Sequence, residues 1–147
     1  MPESCPFCAI ADCSRPAAVV FEDADSLAFL DHRPLFPGHC LLIPKPHLET
    51  LADLPAASIG PLFENARRLA LAMEQALGAE GSFLAVNNRV SQSVPHLHIH
   101  VVPRRRKDGL KGFFWPRGKY AGEEEMERVR SVLAQALSGA GSRPAAH

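Results

Sequence analysis

Apolar residues follow two kinds of spacing along the chain, and these predict helices and strands. A recurrence every three and four residues predicts a long helix over about Ala57 to Leu77, which Gly78 ends. The same periodicity predicts a last helix over about Glu123 to Leu137. Its acidic residues lie in the first turn, where they suit the helix dipole, and Gly139 follows its end.

Shorter apolar runs, bounded by polar turns, glycine or proline, predict the strands. The five runs are Val19 to Phe21, Leu27 to Leu30, Cys40 to Ile43, Phe83 to Val86 and His96 to Val102. Five strands with two amphipathic helices predict an α+β domain built on a single antiparallel sheet. We expect this domain to span residues 1–137, and we expect the tail over residues 138–147 to be disordered.

The composition narrows the classes of partner and the cellular location. Sixteen basic side chains balance sixteen acidic ones, so no global field attracts nucleic acid or an anionic membrane. The N-terminal segment carries an acid and two cysteines without a long apolar run, which excludes a signal peptide, and no stretch is long enough to span a bilayer. We therefore expect a cytoplasmic protein, in which closely spaced cysteines serve metal binding or redox chemistry rather than a disulfide.

Three histidines alternate with apolar residues in the last predicted strand. Side chains two residues apart share one face of a strand, so His96, His98 and His100 point one way. Core packing does not require such a row, because each buried imidazole needs hydrogen-bond partners. Two functional interpretations compete with a row of merely solvated histidines. The three rings could hold a catalytic zinc, or one neutral ring could attack phosphorus as a nucleophile.

The sequence around these histidines resembles the signature of the histidine triad (HIT) family. Gln92 to Arg104 fits the pattern Q-x-V-x-H-x-H-x-H-x-x-P-R. Upstream, Phe29-Leu30-Asp31 and the run Pro37 to Lys45 resemble the family's F-x-D and P-G-H-x-L-(I/V)-x-P-K strand pair. The likeness covers about residues 5–104 and implies a HIT-like fold with five antiparallel strands.

The resemblance implies a hydrolase or transferase that cleaves nucleoside monophosphate conjugates, such as dinucleoside polyphosphates or adenosine phosphoramidates, at the α-phosphate. His98 corresponds to the nucleophile, which would form a covalent nucleotidyl intermediate. His100 would contact the α-phosphate, and Gln92 would bind the phosphate or the leaving group. His96 completes the triad.

Further nucleotide contacts and the assembly also follow from the resemblance. Asp31 corresponds to the residue that holds the ribose hydroxyls, and His32 lies where the family places a residue under the base. Asn87 matches an asparagine at the end of the preceding strand. The family likeness also implies a homodimer. Two alternatives stay open, namely a metal-dependent trihistidine hydrolase and a nucleotide-binding module without catalysis.

Cys5 and Cys8 form a C-x-x-C pair near the N-terminus. A thioredoxin-like redox motif needs a preceding strand, for which four residues leave no room. A zinc knuckle needs two further ligands, which His47 and His96 could supply. The zinc-containing bacterial branch of the family places a structural Cys₂His₂ zinc at matching positions. We favour that zinc site over the alternative of two surface thiols.

A basic loop rich in aromatic residues follows the histidine strand. Its cations are Arg104 to Lys107, Lys111, Arg117 and Lys119, and Phe113 to Trp115 lie among them. Arginine and lysine suit phosphate oxygens, so the loop could hold a polyphosphate leaving group. A solvated run of charges, with the aromatic residues packed on the core or on a partner subunit, is an equal alternative. Stacking on single-stranded nucleic acid is disfavoured by the neutral net charge.

Overall fold

A computed structural model of the chain describes residues 4–111 and 118–141. The chain divides into two compact units, of which the first ends at Asp108 and the second begins at Gly109. The first unit contains the whole sheet and all the residues that the sequence predicts as catalytic, nucleotide-binding or metal-ligating. The aromatic residues of the predicted basic loop, Phe113 to Trp115, and its Arg117 lie outside the described residues.

The first unit is built on a five-stranded sheet in which all neighbouring strands are antiparallel. The strands are β1 (Val19–Glu22), β2 (Ser26–Leu30), β3 (Cys40–Pro44), β4 (Gly81–Ala85) and β5 (Ile99–Arg104). Their order across the sheet is β1-β2-β3-β5-β4. The predicted α+β class and five-stranded antiparallel sheet are therefore confirmed. The last strand begins at Ile99, three residues after the predicted start at His96.

Three α-helices accompany the sheet. They are α1 (Pro6–Ala11), α2 (Ala56–Leu77) and α3 (Glu123–Gly141). The sequence analysis did not predict α1, because six residues are too few to establish a helical period. The helix begins where Cys5 accepts a hydrogen bond from the Cys8 amide, with Pro6 at its first position. It places both cysteines of the C-x-x-C pair against the sheet.

The two faces of the sheet carry separate apolar clusters. On one face Leu42, Ile99 and Val101 are buried in a cluster that includes Leu69 and Met73 of α2. On the other face residues of β2 and β3 pack with Phe7 of α1. They are Leu27, Phe29, Leu41 and Ile43. Both faces of these strands are buried, so β3 reads as an unbroken apolar run rather than an alternating one.

The second unit is described through α3, which continues to Gly141, four residues beyond the predicted end at Leu137. Its first turn carries Glu123, Glu124 and Glu125, which suit the positive end of the helix dipole. Residues 142–147 of the predicted tail lie outside the described part of the chain. No helix within the described residues is long and apolar enough to cross a membrane.

The buried side of the histidine segment offers a test of the core. Leu97 is 0% exposed in the α2-side cluster, whereas Leu71 of α2 is 39% exposed. Leu97→Ala should lower the free energy of unfolding by about 2–5 kcal/mol, because it removes buried methyl groups and leaves a cavity. The same change at Leu71 should cost far less. Urea denaturation of both variants measures the two losses, and equal losses would contradict this packing.

Candidate active site and metal centre

The three triad histidines share one side of their segment although only His100 belongs to β5. Leu97 and Ile99 between them are buried in the α2-side cluster. The imidazoles lie on the opposite side, where the His98 ring contacts Phe7 at 5.2 Å and His100 at 5.0 Å between centroids. The alternation therefore begins before the regular strand does.

The ring of His98 is oriented by the backbone of its neighbour. Its Nδ1 lies 2.7 Å from the carbonyl oxygen of His96. A carbonyl oxygen can only accept, so Nδ1 carries the hydrogen and donates it. A neutral imidazole has one such hydrogen, which leaves the lone pair on Nε2. The neutral ring of His98 thus has a fixed tautomer that leaves the lone pair of Nε2 available.

The same reasoning assigns the tautomer of His96. Its Nε2 lies 2.8 Å from the carbonyl oxygen of Pro44, to which it donates. The lone pair therefore belongs to Nδ1, which lies 3.5 Å from the sulfur of Cys5 and 3.5 Å from that of Cys8. A ring that donates to a backbone carbonyl on one side and offers a lone pair on the other is the usual arrangement of a metal-bound histidine.

Cys5, Cys8, His47 and His96 converge on one point, and their ligand atoms all lie within 4.8 Å of one another. Nδ1 of His47 lies 3.2 Å from the Cys8 sulfur. A tetrahedral zinc with sulfur at ~2.3 Å and nitrogen at ~2.0–2.1 Å separates sulfur and nitrogen ligands by about 3.6 Å. The sulfur–nitrogen distances of this cluster are close to that value, so the four residues fit a zinc ion.

The protonation of the cysteines also bears on this cluster. Burial, followed by the hydrogen bond with Cys5, raises the pKa of the Cys8 thiol to about 11. A metal ion would be needed to hold such a sulfur as a thiolate at neutral pH. The other two cysteines lie outside the cluster. Cys13 is exposed, and Cys40 is buried and donates to the Gly38 carbonyl at 3.3 Å.

A second group of ligating side chains lies at the other end of the histidine row. Nε2 of His39 lies 3.0 Å from Nδ1 of His100 and 3.7 Å from a carboxylate oxygen of Asp31. His39 is only 3% exposed. His39 belongs to the P-G-H motif, but the sequence predicted no role for it. Its position immediately before β3, which pairs with β5, is the signal that would have found it.

A cavity of about 540 Å³ opens beside the histidines. Its lining includes Asp31, His32, His98 and His100, which the sequence analysis assigned to nucleotide binding, together with Arg15. The His32 side chain is 91% exposed. A volume in this range suits a small-molecule ligand. The structure therefore brings four of the predicted binding residues to one cavity.

Gln92 and Asn87 are not part of that lining. The Gln92 amide donates to the Glu49 carbonyl at 2.6 Å, and its oxygen accepts from the Arg89 amide at 2.8 Å. Arg89 adopts a positive φ of 70° in the tight turn between Asn87 and Gln92. Gln92 is thus engaged with backbone groups rather than directed at the histidines, and the nucleotide contacts assigned to Gln92 and Asn87 stay predictions.

The trihistidine metal hypothesis does not agree with this geometry. Within residues 4–111 and 118–141, the groups close enough to share a metal are the Cys5 cluster and the trio Asp31, His39 and His100. His96 directs its lone pair at the cysteines, and His98 uses Nδ1 on a backbone carbonyl. The three triad rings therefore do not converge on one ion.

The arginines that open the basic loop have structural partners. Arg104 forms an ion pair with Asp108 at 2.6 Å, and Arg106 pairs with Glu80 at 3.1 Å. Arg105 donates to the carbonyl groups of Leu77 and Gly78 at the end of α2. These contacts favour the alternative that this part of the loop is a protein surface without a role in phosphate binding. Its arginines form hydrogen bonds and ion pairs with groups at the ends of the neighbouring helix and strands.

Comparison with known proteins places this geometry in context. The HIT domain model matches residues 13–107. An uncharacterised HIT-like protein of Mycobacterium tuberculosis is 34% identical over 139 residues, which cover 91% of this chain and 93% of the relative. The adenosine 5'-monophosphoramidase of Schizosaccharomyces pombe is 36% identical, covering 82% and 90%. The adenylylsulfatase of Arabidopsis thaliana is 35% identical, covering 72% and 55%.

Solved structures of HIT family proteins also resemble this chain. A HIT family protein from Bacillus subtilis superimposes with a TM-score of 0.80 at 32% identity, covering 90% of this chain and 96% of that one. A zinc-bound histidine triad family protein from Mycobacterium smegmatis has a TM-score of 0.70 at 38% identity, covering 92% and 97%.

The His100 ring makes stability depend on pH. Burial, and next the neighbours His98 and His39, lower its pKa from 6.5 to about 4, against the opposing effect of Asp31. The unfolded chain therefore binds more protons between these values, and the free energy of unfolding falls as the pH falls through that window. Between these pH values we expect the free energy of unfolding of His100→Asn to fall by roughly 1–2 kcal/mol less than that of the wild type. This figure is discounted because the ring is partly exposed.

Denaturant unfolding of wild type and His100→Asn across mildly acidic pH isolates the contribution of this ring. The candidate metal ligands are the same in both proteins, so any contribution from them cancels in the difference between the two curves. Parallel curves throughout the window would contradict the lowered pKa of His100.

Proposed function

Because this chain belongs to the HIT domain family, we propose that it is a nucleotidyl hydrolase or transferase with His98 as its nucleophile. It would cleave nucleoside monophosphate conjugates at the α-phosphorus through a covalent nucleotidyl-His98 intermediate. The observation that carries the proposal is the hydrogen bond from His98 Nδ1 to the His96 carbonyl at 2.7 Å, which leaves the Nε2 lone pair free.

The reaction divides into two displacements at phosphorus. The Nε2 lone pair of His98 forms a bond to the α-phosphorus, and the bond to the leaving group breaks, so that the leaving group departs with the bonding electrons and takes up a proton. A water or another acceptor then attacks the same phosphorus, loses a proton and displaces Nε2. The imidazole gains positive charge in the first step, and the His96 carbonyl dipole stabilises that charge.

The cavity beside His98 supports a nucleotide as the bound group. Asp31 offers carboxylate oxygens that could accept from ribose hydroxyls, and the exposed ring of His32 could stack beneath a base. His100 would contact an oxygen of the α-phosphate. Gln92 would have to exchange its bond to the Glu49 carbonyl for one to the phosphate or leaving group, and Asn87 would act from the same turn.

The leaving group is the part of the substrate on which the relatives differ. One relative is named as an adenosine 5'-monophosphoramidase and another as an adenylylsulfatase. Both names describe an adenylyl group joined to a different partner, which agrees with a site that binds the nucleotide and tolerates several leaving groups. We propose adenylyl or guanylyl conjugates as substrates. A hydrolysis screen over phosphoramidates, acyl phosphates and dinucleoside polyphosphates would identify the leaving group.

We further propose that Cys5, Cys8, His47 and His96 bind one structural zinc. The donor set, the tautomer of His96 and the sulfur–nitrogen distances support it. A metal there would join α1 to the segment that carries the nucleophile. It would take no part in the displacements, because His96 turns its lone pair away from His98.

The nucleophile is tested by His98→Ala. This change should lower kcat at least about 10³-fold, since no other group in the proposal can form the phosphorus bond. AMP binding, measured by calorimetry, should change little because the proposed base and ribose contacts involve other residues. Rapid quench of the wild-type protein with labelled substrate should trap an acid-labile, base-stable adduct on His98. Turnover without this adduct, together with an active His98→Ala variant, would exclude the mechanism.

The metal site is tested by comparing two cysteine variants. Wild-type protein purified under reducing conditions should contain about one zinc per chain. Cys8→Ser should lose that zinc and unfold at a lower temperature, because it removes one of four ligands. Cys13→Ser is the matched control, since Cys13 is exposed and outside the cluster. Zinc-free wild-type protein, or equal zinc in both variants, would refute the site.

A further inference from the structure

We propose that His39 is a positioning residue that fixes the tautomer of His100, so that His100 presents an Nε2–H donor to the reacting phosphate. The proposal concerns a residue to which the function above gives no role. The assignment of the tautomer stands on hydrogen bonds alone. Only its consequence, a hydrogen bond to a phosphoryl oxygen, rests on the proposed function.

The backbone amide nitrogen of Leu35 lies 3.1 Å from Nδ1 of His39. An amide N–H can only donate, so Nδ1 of His39 is an acceptor and carries no hydrogen. The single hydrogen of the neutral ring is therefore on Nε2. A doubly protonated His39 would place two hydrogens against each other at Nδ1.

The hydrogen on His39 Nε2 determines what His100 can do. Nε2 of His39 lies 3.0 Å from Nδ1 of His100, which is within hydrogen-bond distance. Since Nε2 of His39 donates, Nδ1 of His100 accepts, and the hydrogen of the neutral His100 ring must be on its Nε2. The reverse arrangement would require a hydrogen on His39 Nδ1, which the Leu35 amide forbids.

Both rings are neutral near pH 7, as this accounting of hydrogens requires. Burial lowers the pKa of His39, against the opposing charge of Asp31. Burial, with His98 and His39 as further causes, lowers the pKa of His100 to about 4. The groups that face this pair are therefore Asp31 and His98. His100 can therefore act as a neutral donor near neutral pH.

The loop before β3 holds His39 rigidly enough for this role. Gly38 has a φ of +102°, a conformation that favours glycine, and the His39 amide donates to the Phe36 carbonyl at 3.0 Å. The His39 carbonyl accepts from the Asp31 amide at 2.9 Å. The ring is thus fixed by its own backbone, by the Leu35 amide and by His100.

A metal ion bound by Asp31, His39 and His100 is the competing interpretation, because their ligand atoms lie close together. A neutral His39 that bound a metal through Nε2 would carry its hydrogen on Nδ1. That hydrogen would point at the Leu35 amide hydrogen. The trio therefore suits a chain of hydrogen bonds better than a metal.

The tautomer can be measured directly in the wild-type protein. Two-bond proton–nitrogen correlation spectra of histidine-labelled protein distinguish the protonated ring nitrogen from the bare one. We expect His100 to carry its hydrogen on Nε2 at neutral pH. A hydrogen on Nδ1 of His100 would overturn the proposal, whether or not the protein turns over any conjugate. Absence of turnover with the expected tautomer would instead count against the proposed function alone.

Two substitutions at His39 test the consequence for catalysis. His39→Met removes the donor while keeping a long side chain, and it should lower kcat by about 10- to 100-fold with little change in KM, as is usual for partners that orient a functional histidine. His39→Gln is the matched variant. Its amide oxygen can accept from the Leu35 N–H and its NH₂ group can donate to His100, so it should restore most of the lost rate.

A structural role for His39 would give a different result. In the His100→Ala background the His39→Met change should have almost no further effect on kcat, because the two residues act as one unit. Additive losses in the double variant would overturn the positioning role. So would a His39→Gln variant that is folded by its melting temperature, keeps the His100 tautomer and is as slow as His39→Met.

Discussion

A neutral imidazole carries one hydrogen, and in this molecule backbone groups decide which ring nitrogen holds it. The carbonyl group of Pro44 accepts a hydrogen bond from the ring of His96, and the carbonyl group of His96 accepts one from the ring of His98. The Leu35 amide donates a hydrogen bond to the ring of His39. Because the partners differ, three chemically identical side chains acquire different properties. His96 offers a lone pair to sulfur-rich surroundings, His98 offers one to the cavity, and His39 passes a hydrogen bond to His100. The chemistry of the site depends on this division.

Residues at the two ends of strand β3 form the hydrogen bonds that orient His100 and His96. The strand pairs antiparallel with β5 so that Leu41 faces His100 and Leu42 faces Ile99. His39, two residues before Leu41, contacts His100 diagonally across the two strands. At the other end of β3, the carbonyl of Pro44 accepts a hydrogen bond from His96. A register slip of one residue would turn the histidines into the α2-side core and the apolar residues outward. The burial of Leu97, Ile99 and Val101 opposes such a slip and so maintains the tautomers.

The sequence was informative where the signal repeats along the chain. Alternation placed His96, His98 and His100 on one side, and the apolar runs located every strand of the sheet. The grouping of Cys5 and Cys8 with His47 came from family resemblance, because nothing local in a sequence links residues so far apart. Helix α1 was missed since six residues carry no helical period.

Other features were beyond prediction because they depend on backbone groups. Gln92 donates to the Glu49 carbonyl, and Arg105 donates to carbonyl groups at the end of α2. Every residue has a carbonyl group, so a sequence gives no sign of which one a side chain will reach. The place of His39 next to the histidine strand could have been inferred from the predicted strand pair, but its tautomer could not, because a backbone amide like that of Leu35 is common to all non-proline residues.

The candidate metal centre and the proposed nucleophile lie on one segment, so a metal bound there would influence chemistry in which it takes no part. His96 is held on one side by the Pro44 carbonyl and on the other by the sulfur atoms of Cys5 and Cys8. Its own carbonyl holds Nδ1 of His98. A shift of the His96 ring would therefore move the carbonyl that orients the ring of His98, two residues along a buried segment. Closely packed interiors transmit such shifts because they contain little free volume. In the proposed function the cysteine cluster would act on His98 through orientation, whereas His39 would act through the hydrogen on His100, so the two influences would reach His98 from opposite ends of one row.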